Sequence, residues 1–142
     1  MQSFPKKIVI DANILFSFFK KDSTRRKIIE LMLDNECILV SPEFVIEELI
    51  SDKDKIIRFS GIKNSEFFFI FSLLRKNIVT ISKEEYASFF VEARKLSPHI
   101  KDVPYFALAL NLDCPIWSDE KAFKQQSRIK ILSTNKLLKF IP

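Results

Sequence analysis

The chain has 142 residues, a mass of 16.7 kDa and a hydrophobic fraction of 47%, which fits one domain over 1–142 and excludes a disordered polymer. Its single glycine, Gly61, excludes the glycine-rich cradles of dinucleotide-binding folds and P-loops, and two cysteines with one histidine are too few for a zinc site of closely spaced ligands. A net charge of +5 with a pI near 9.2 permits a polyanionic partner without requiring one.

The first element is a short, fully buried strand at 7–10, followed at once by Asp11 and by a helix over 12–19 that carries Asn13 and three phenylalanines. Asp11 reads either as a helix cap or as an acid held at a strand end. A basic cluster of Lys20, Lys21, Arg25, Arg26 and Lys27, with only Asp22 against it, leads into a helix over 24–34 started by Ser23 or Thr24. A strand at 37–40 precedes SPEFVIEELI, read as a helix over 42–50 with Ser41 and Pro42 as its start signal. At about 100° per residue Glu43 and Glu47 share one side of that helix, whereas Glu48 projects into the apolar stripe of Phe44, Val45 and Leu49.

Helices over 52–60 and 64–75 form an inserted hairpin turning near Ser60, Gly61 and Asn64. The run FFFIF at 67–71 suits a core or a dimer surface better than a base-stacking platform. A strand at 78–81 and a helix over 84–96, with Ser82 and Glu85 as a capping box, lead to Asp102. Asp102 opens a nearly all-apolar helix over 103–111, with Pro104 suited to its first turn, so a plain N-cap role competes with a role in a site. A strand at 115–117 ends in Ser118, Asp119 and Glu120, a strand follows at 129–132, and a helix over 134–140 starts at Ser133 or Thr134. From Lys121 onward the chain has Lys121, Lys124, Arg128, Lys130, Lys136 and Lys139 and no acid, which reads as a solvated face or a phosphate-binding one.

Strands separated by helices predict an α/β protein, a three-layer α/β/α sandwich on a central, mostly parallel sheet of about five strands. Ligands collect at the carboxyl edge of such sheets. Asp11, Glu48, Asp102 and the Asp119–Glu120 pair reach that edge from four separate segments. Clustered carboxylates raise one another's pKa values, and a hard divalent cation, Mg²⁺ or Mn²⁺, removes the repulsion. With basic residues around them, such acids suit metal-assisted chemistry on a phosphodiester.

The stretches VIDANILFS, SPEFVIEEL, KDVPYFALAL and CPIWSDEKAF, in this order, resemble the PIN-domain nucleases. The resemblance implies metal-dependent cleavage of RNA, often as the toxin of a toxin–antitoxin pair. It assigns Asp11, with Asn13 two residues on, as the first acid, Glu48 as the second and Asp102 as the third. The family's fourth position is Ser or Thr, a variable residue, then Asp. Here Ser118 is followed by Asp119 and Glu120, so spacing selects Glu120 and residue type selects Asp119.

Arg25, Arg26, Lys121 and Lys124 are the expected nucleic-acid contacts, and a homodimer is expected from the excess of phenylalanine and from the family resemblance. No antitoxin segment lies within the chain, so such a partner would be a separate protein. Cys37 and Cys114 are expected to be buried structural thiols. The apolar runs fall short of the ~20 residues of a membrane span, and the start MQSFPKK is charged too early for a signal peptide, so a cytoplasmic protein is expected. Two other readings stay open: a non-catalytic RNA-binding module and a structure-specific DNA nuclease.

Overall fold

In the computed structural model, which describes residues 3–141, five strands form one sheet in the order β3-β2-β1-β4-β5, every neighbouring pair parallel. The strands are β1 (Lys7–Ile10), β2 (Ile38–Pro42), β3 (Ile78–Ile81), β4 (Ile116–Trp117) and β5 (Ile131–Leu132). The helices are α1 (Ala12–Phe16), α2 (Thr24–Asp34), α3 (Val45–Ser51), α4 (Lys53–Ser60), α5 (Asn64–Asn77), α6 (Lys83–Tyr86), α7 (Phe90–Leu96), α8 (Val103–Leu112) and α9 (Thr134–Leu138). Residues 1, 2 and 142, which the expected domain includes, lie outside the described ones.

Alternating side chains along each strand feed two cores, which is why helices must cover both faces. Ile8, Ile10, Leu39, Trp117 and Leu132 point to one core with α1, α2, α3, α5 and α9. Val9, Val40, Ile116 and Ile131 point to the other, where α8 lies almost wholly buried. Aromatic packing anchors the inserted hairpin, with the Phe19 and Phe67 rings stacked at 4.9 Å between centroids. Cys37 is buried and Cys114 partly so; both are free thiols, and burial pushes each up to about 11.

Three expected helices change. Ser41 and Pro42 belong to β2, not to a helix, because they pair with Thr80 and Ile81. The ladder then continues through the Glu43 N–H to the Ile81 carbonyl, and the Ser41 hydroxyl donates to the Ile10 carbonyl at 2.6 Å instead of capping. The helix expected at 12–19 tightens into a 3₁₀ turn at Ser17–Phe19. The one expected at 84–96 is interrupted by another at Ala87–Phe89, without a glycine or proline to cause it.

The phenylalanine surplus is divided. Phe18, Phe19, Phe67 and Phe71 are buried, whereas Phe59 on α4 and Phe68 and Phe69 on α5 are exposed. Among the described residues no helix is long and apolar enough to cross a membrane.

Gly61 ends α4 with φ +68, the left-handed conformation that a Cβ disfavours. No atom lies within 4 Å of where that Cβ would stand, so the cost of a substitution is conformational alone. Gly61→Ala should lower unfolding free energy by about 1 kcal/mol, with Gly61→Asn milder, read as urea midpoints. A neutral alanine would show that the turn relaxes.

Candidate active site

After β1 the chain builds outward through β2 and β3, then crosses back to place β4 on the other side of β1. That reversal opens a crevice at the carboxyl ends of β1 and β4. Ile10 pairs with Trp117, so the next residues, Asp11 and Ser118, emerge side by side at its floor.

Asp11 is only 6% exposed and caps α1, its Oδ1 accepting from the Ile14 amide at 3.0 Å. Burial pushes its carboxyl up to about 6, although the Ser118 hydroxyl and the Ile14 amide favour the charged form, and nearby Glu120 adds to the rise. The residue that caps α1 is thus also an acid with a raised pKa at the strand end. Asp102 precedes α8, yet its side chain makes no cap hydrogen bond. Burial raises its pKa, Glu120 raises it further and His99 opposes. Glu48 is half-buried on α3 and the neighbouring Glu47 is exposed, which is the division the helix phase predicts. Burial also raises Glu48; the Tyr105 hydroxyl donates to its Oε1 at 3.0 Å and opposes the rise, while Asp52 and Asp102 add to it.

The residues after β4 divide their tasks. Asp119 turns away from the other acids: its Oδ1 accepts from the Thr134 amide at 2.7 Å and its Oδ2 from the Thr134 hydroxyl. The Arg25 guanidinium donates to the same Oδ2 through Nε at 3.0 Å and Nη2 at 2.7 Å. Burial works to raise Asp119, but the Thr134 and Arg25 bonds outweigh it and hold the carboxyl below its usual range. Glu120 faces the crevice instead. Its Oε1 accepts from Asn13 Nδ2 at 3.2 Å, and its own amide donates to the buried Ser118 hydroxyl at 3.2 Å.

Of the basic residues expected to meet nucleic acid, Arg25 is thus bound to Asp119, and Arg26 pairs with Glu30 at 3.0 Å with its guanidinium over the Phe18 ring. Lys121 and Lys124 stand exposed on a 3₁₀ turn over Lys121–Gln125, directly after Glu120. Sequence reasoning missed Tyr105, Thr134 and the Arg25–Asp119 pair. A tyrosine one turn beyond Asp102 was the available signal for the first; nothing local signals the pair, which joins residues 94 apart.

The donor set fits a hard divalent cation in its chemistry, since it offers carboxylate oxygens without a thiolate. Among the described residues, the second carboxylate oxygens of Glu48 and Glu120 and both of Asp102 have no protein donor. Among those same residues no three His, Cys, Asp or Glu side chains converge into one coordinating group. Asp11 is turned to Ile14, Glu48 to Tyr105 and Glu120 to Asn13.

Compared with protein-family models, residues 9–138 match the PIN domain. The chain belongs to the PIN-domain family. A search of curated proteins finds no match. The match takes in the second half of β1, the other four strands whole and all four acidic segments, and PIN domains are in general nucleases that use divalent metals.

The buried acid of this PIN domain gives a stability test. Asp11 holds its proton more tightly when folded, near 6 against an ordinary 3.8, so its favourable contribution is fullest below pH 4 and lost as pH rises through 6. In chelator at pH 7–8, Asp11→Asn, which keeps the capping oxygen, should be the more stable protein by up to roughly 3 kcal/mol, with the difference vanishing near pH 4. Denaturant melts across pH read this directly. An Asn variant less stable throughout would mean that its hydrogen bonds outweigh its burial.

Proposed function

We propose that this PIN domain is a Mg²⁺- or Mn²⁺-dependent endoribonuclease. One observation carries the proposal: Asp11, Glu48, Asp102 and Glu120 come from four separate segments to one edge of the sheet, where oxygens of Glu48, Asp102 and Glu120 have no protein donor among the described residues. Four carboxylates from four segments that sense one another in a crevice are a standing cost to the fold, and a cation relieves it. Asp11, Glu48, Asp102 and Glu120 would hold the ion. When bound, it would activate a water and stabilise charge on the phosphate and the leaving oxygen. The chain's own residues do the positioning: Tyr105 orients Glu48, Asn13 and Ser118 orient Glu120, and Arg25 with Asp119 ties that loop to α2 and α9. Lys121 and Lys124 would draw the RNA backbone toward Glu120.

The reading extends to a toxin in a toxin–antitoxin pair, restrained by a separate protein, and to a homodimer joined through the exposed Phe68 and Phe69 of α5. Induced expression should arrest growth for the wild type but not for Asp11→Asn. Light scattering should give about twice 16.7 kDa.

For the purified protein, Mn²⁺ should raise the melting temperature of the wild type and leave that of Asp11→Asn unmoved. On a mixed RNA panel, Asp11→Asn, Glu48→Gln, Asp102→Asn and Glu120→Gln should lose cleavage by orders of magnitude. Tyr105→Phe should lose roughly ten- to hundredfold and Glu47→Gln almost nothing. Metal-independent binding without cleavage would favour an RNA-binding module, and a preference for branched DNA would favour a structure-specific nuclease.

A further inference from the structure

Two hollows flank the acids, and their chemistry differs. The larger, about 850 Å³, lies on the Glu48 side and sets Glu43, Glu47, Glu48 and Asp52 against Lys83 and Lys101. Its excess of carboxylates repels a nucleic-acid backbone. The smaller, about 340 Å³, begins at Asn13, the residue bonded to Glu120, and is lined by Phe16, Arg25, Lys55 and Phe59 with no acid in its wall. Phe59 is 58% exposed, and Lys20 Nζ stands 5.1 Å from its ring centroid. The Arg25 guanidinium is committed to Asp119, Ser17 and the Asn13 carbonyl, whereas Lys55 is exposed and makes no ion pair among the described residues.

We infer that this smaller hollow is a nucleotide subsite for single-stranded RNA, with one base stacked on Phe59 and a phosphate held by Lys55. Three features favour this occupant. Phe59 is an exposed ring with the Lys20 ammonium over it and Lys55 in the same wall, and a base that displaces Lys20 from the ring while Lys55 takes the backbone is the sequence-tolerant pairing that single strands use. The wall's charge is complementary to phosphate, unlike that of the larger hollow. Continuity with the acids through Asn13 puts a nucleotide bound here next to the phosphodiester at Glu120. The strand thus leaves the acids toward α4 and not toward α6 and α7. The subsite rests on the ribonuclease reading for its substrate, but its binding can be measured without catalysis.

The experiment is fluorescence anisotropy of a labelled 12-nucleotide RNA of mixed sequence, with chelator present so that nothing is cut, repeated across salt. Phe59→Ala should weaken binding roughly five- to hundredfold and Phe59→Trp should restore it. Lys55→Gln should flatten the log–log salt slope by about 0.7. Val91→Ala, an exposed apolar loss on α7, should bind as the wild type does, and circular dichroism checks that each variant is folded. Wild-type affinity in both Phe59→Ala and Lys55→Gln would overturn the subsite while leaving the nuclease reading standing. Tighter binding of the matching DNA would overturn the RNA assignment, and a wild type that binds no RNA in chelator would overturn the subsite while leaving the metal-dependent nuclease to the cleavage assay. Binding that depends on Phe59 with no cleavage under any divalent cation would support the subsite and sink the nuclease.

Discussion

The Asp11 carboxylate is the constraint on which the rest of this structure depends. It stands at the end of a strand buried on both faces, in a position that an apolar residue or a neutral cap could fill at lower cost. Three things hold it there. The Ile14 amide fixes one oxygen, the Ser118 hydroxyl lies against it, and the β1–β4 register brings Ser118 to that place. The same capping bond that starts α1 also fixes the direction of the carboxylate. A side chain restrained in this way has little freedom to escape its neighbours' charge, so the repulsion from Glu120 is built into the fold.

The two residues after Ser118 point to different surroundings. Asp119 receives the Thr134 amide and hydroxyl and the Arg25 guanidinium, and so ties α2, the β4 loop and the start of α9 together. Because Arg25 also donates to Ser17 and to the Asn13 carbonyl, the same ion pair steadies the segment that presents Asn13 to Glu120. Bonds made by both donors of Thr134 and a two-nitrogen contact from arginine are geometrically demanding, and a lysine at position 25 would not reproduce them. Glu120, left with a single amide partner, is the member of the pair that faces the crevice.

Much of this architecture was legible because it is periodic. Buried strand runs, amphipathic helices and the position of Glu48 within an apolar stripe follow from spacing alone, and a mostly parallel sheet follows from their alternation; in the fold every pair is parallel. Ser41 and Pro42 misled because a serine–proline pair is a strong helix start, and only tertiary pairing with Thr80 and Ile81 reveals that the strand has not yet ended. The different partners of Asp119 and Glu120 were equally closed to local reasoning, since Arg25 and Thr134, which hold Asp119, are remote from it in sequence. Tyr105 was hidden differently: in a helix that is apolar nearly all round, a tyrosine reads as core, and only its hydroxyl's contact with Glu48 gives it a second task.

The charge around the crevice is uneven, with carboxylates and an apolar hollow on the α3 side and cations with an exposed ring on the α4 side. A polyanion approaching the acids therefore meets one favourable flank, and a net charge of +5 does not describe what it encounters locally. Whether the four acids hold a divalent cation is tested most directly by anomalous scattering from a crystal grown with MnCl₂. A peak in the crevice among Asp11, Glu48, Asp102 and Glu120, with Asp119 still bound to Arg25, is the expected result. A map with no peak there, or a manganese ion held by Asp119 in place of Glu120, would contradict it.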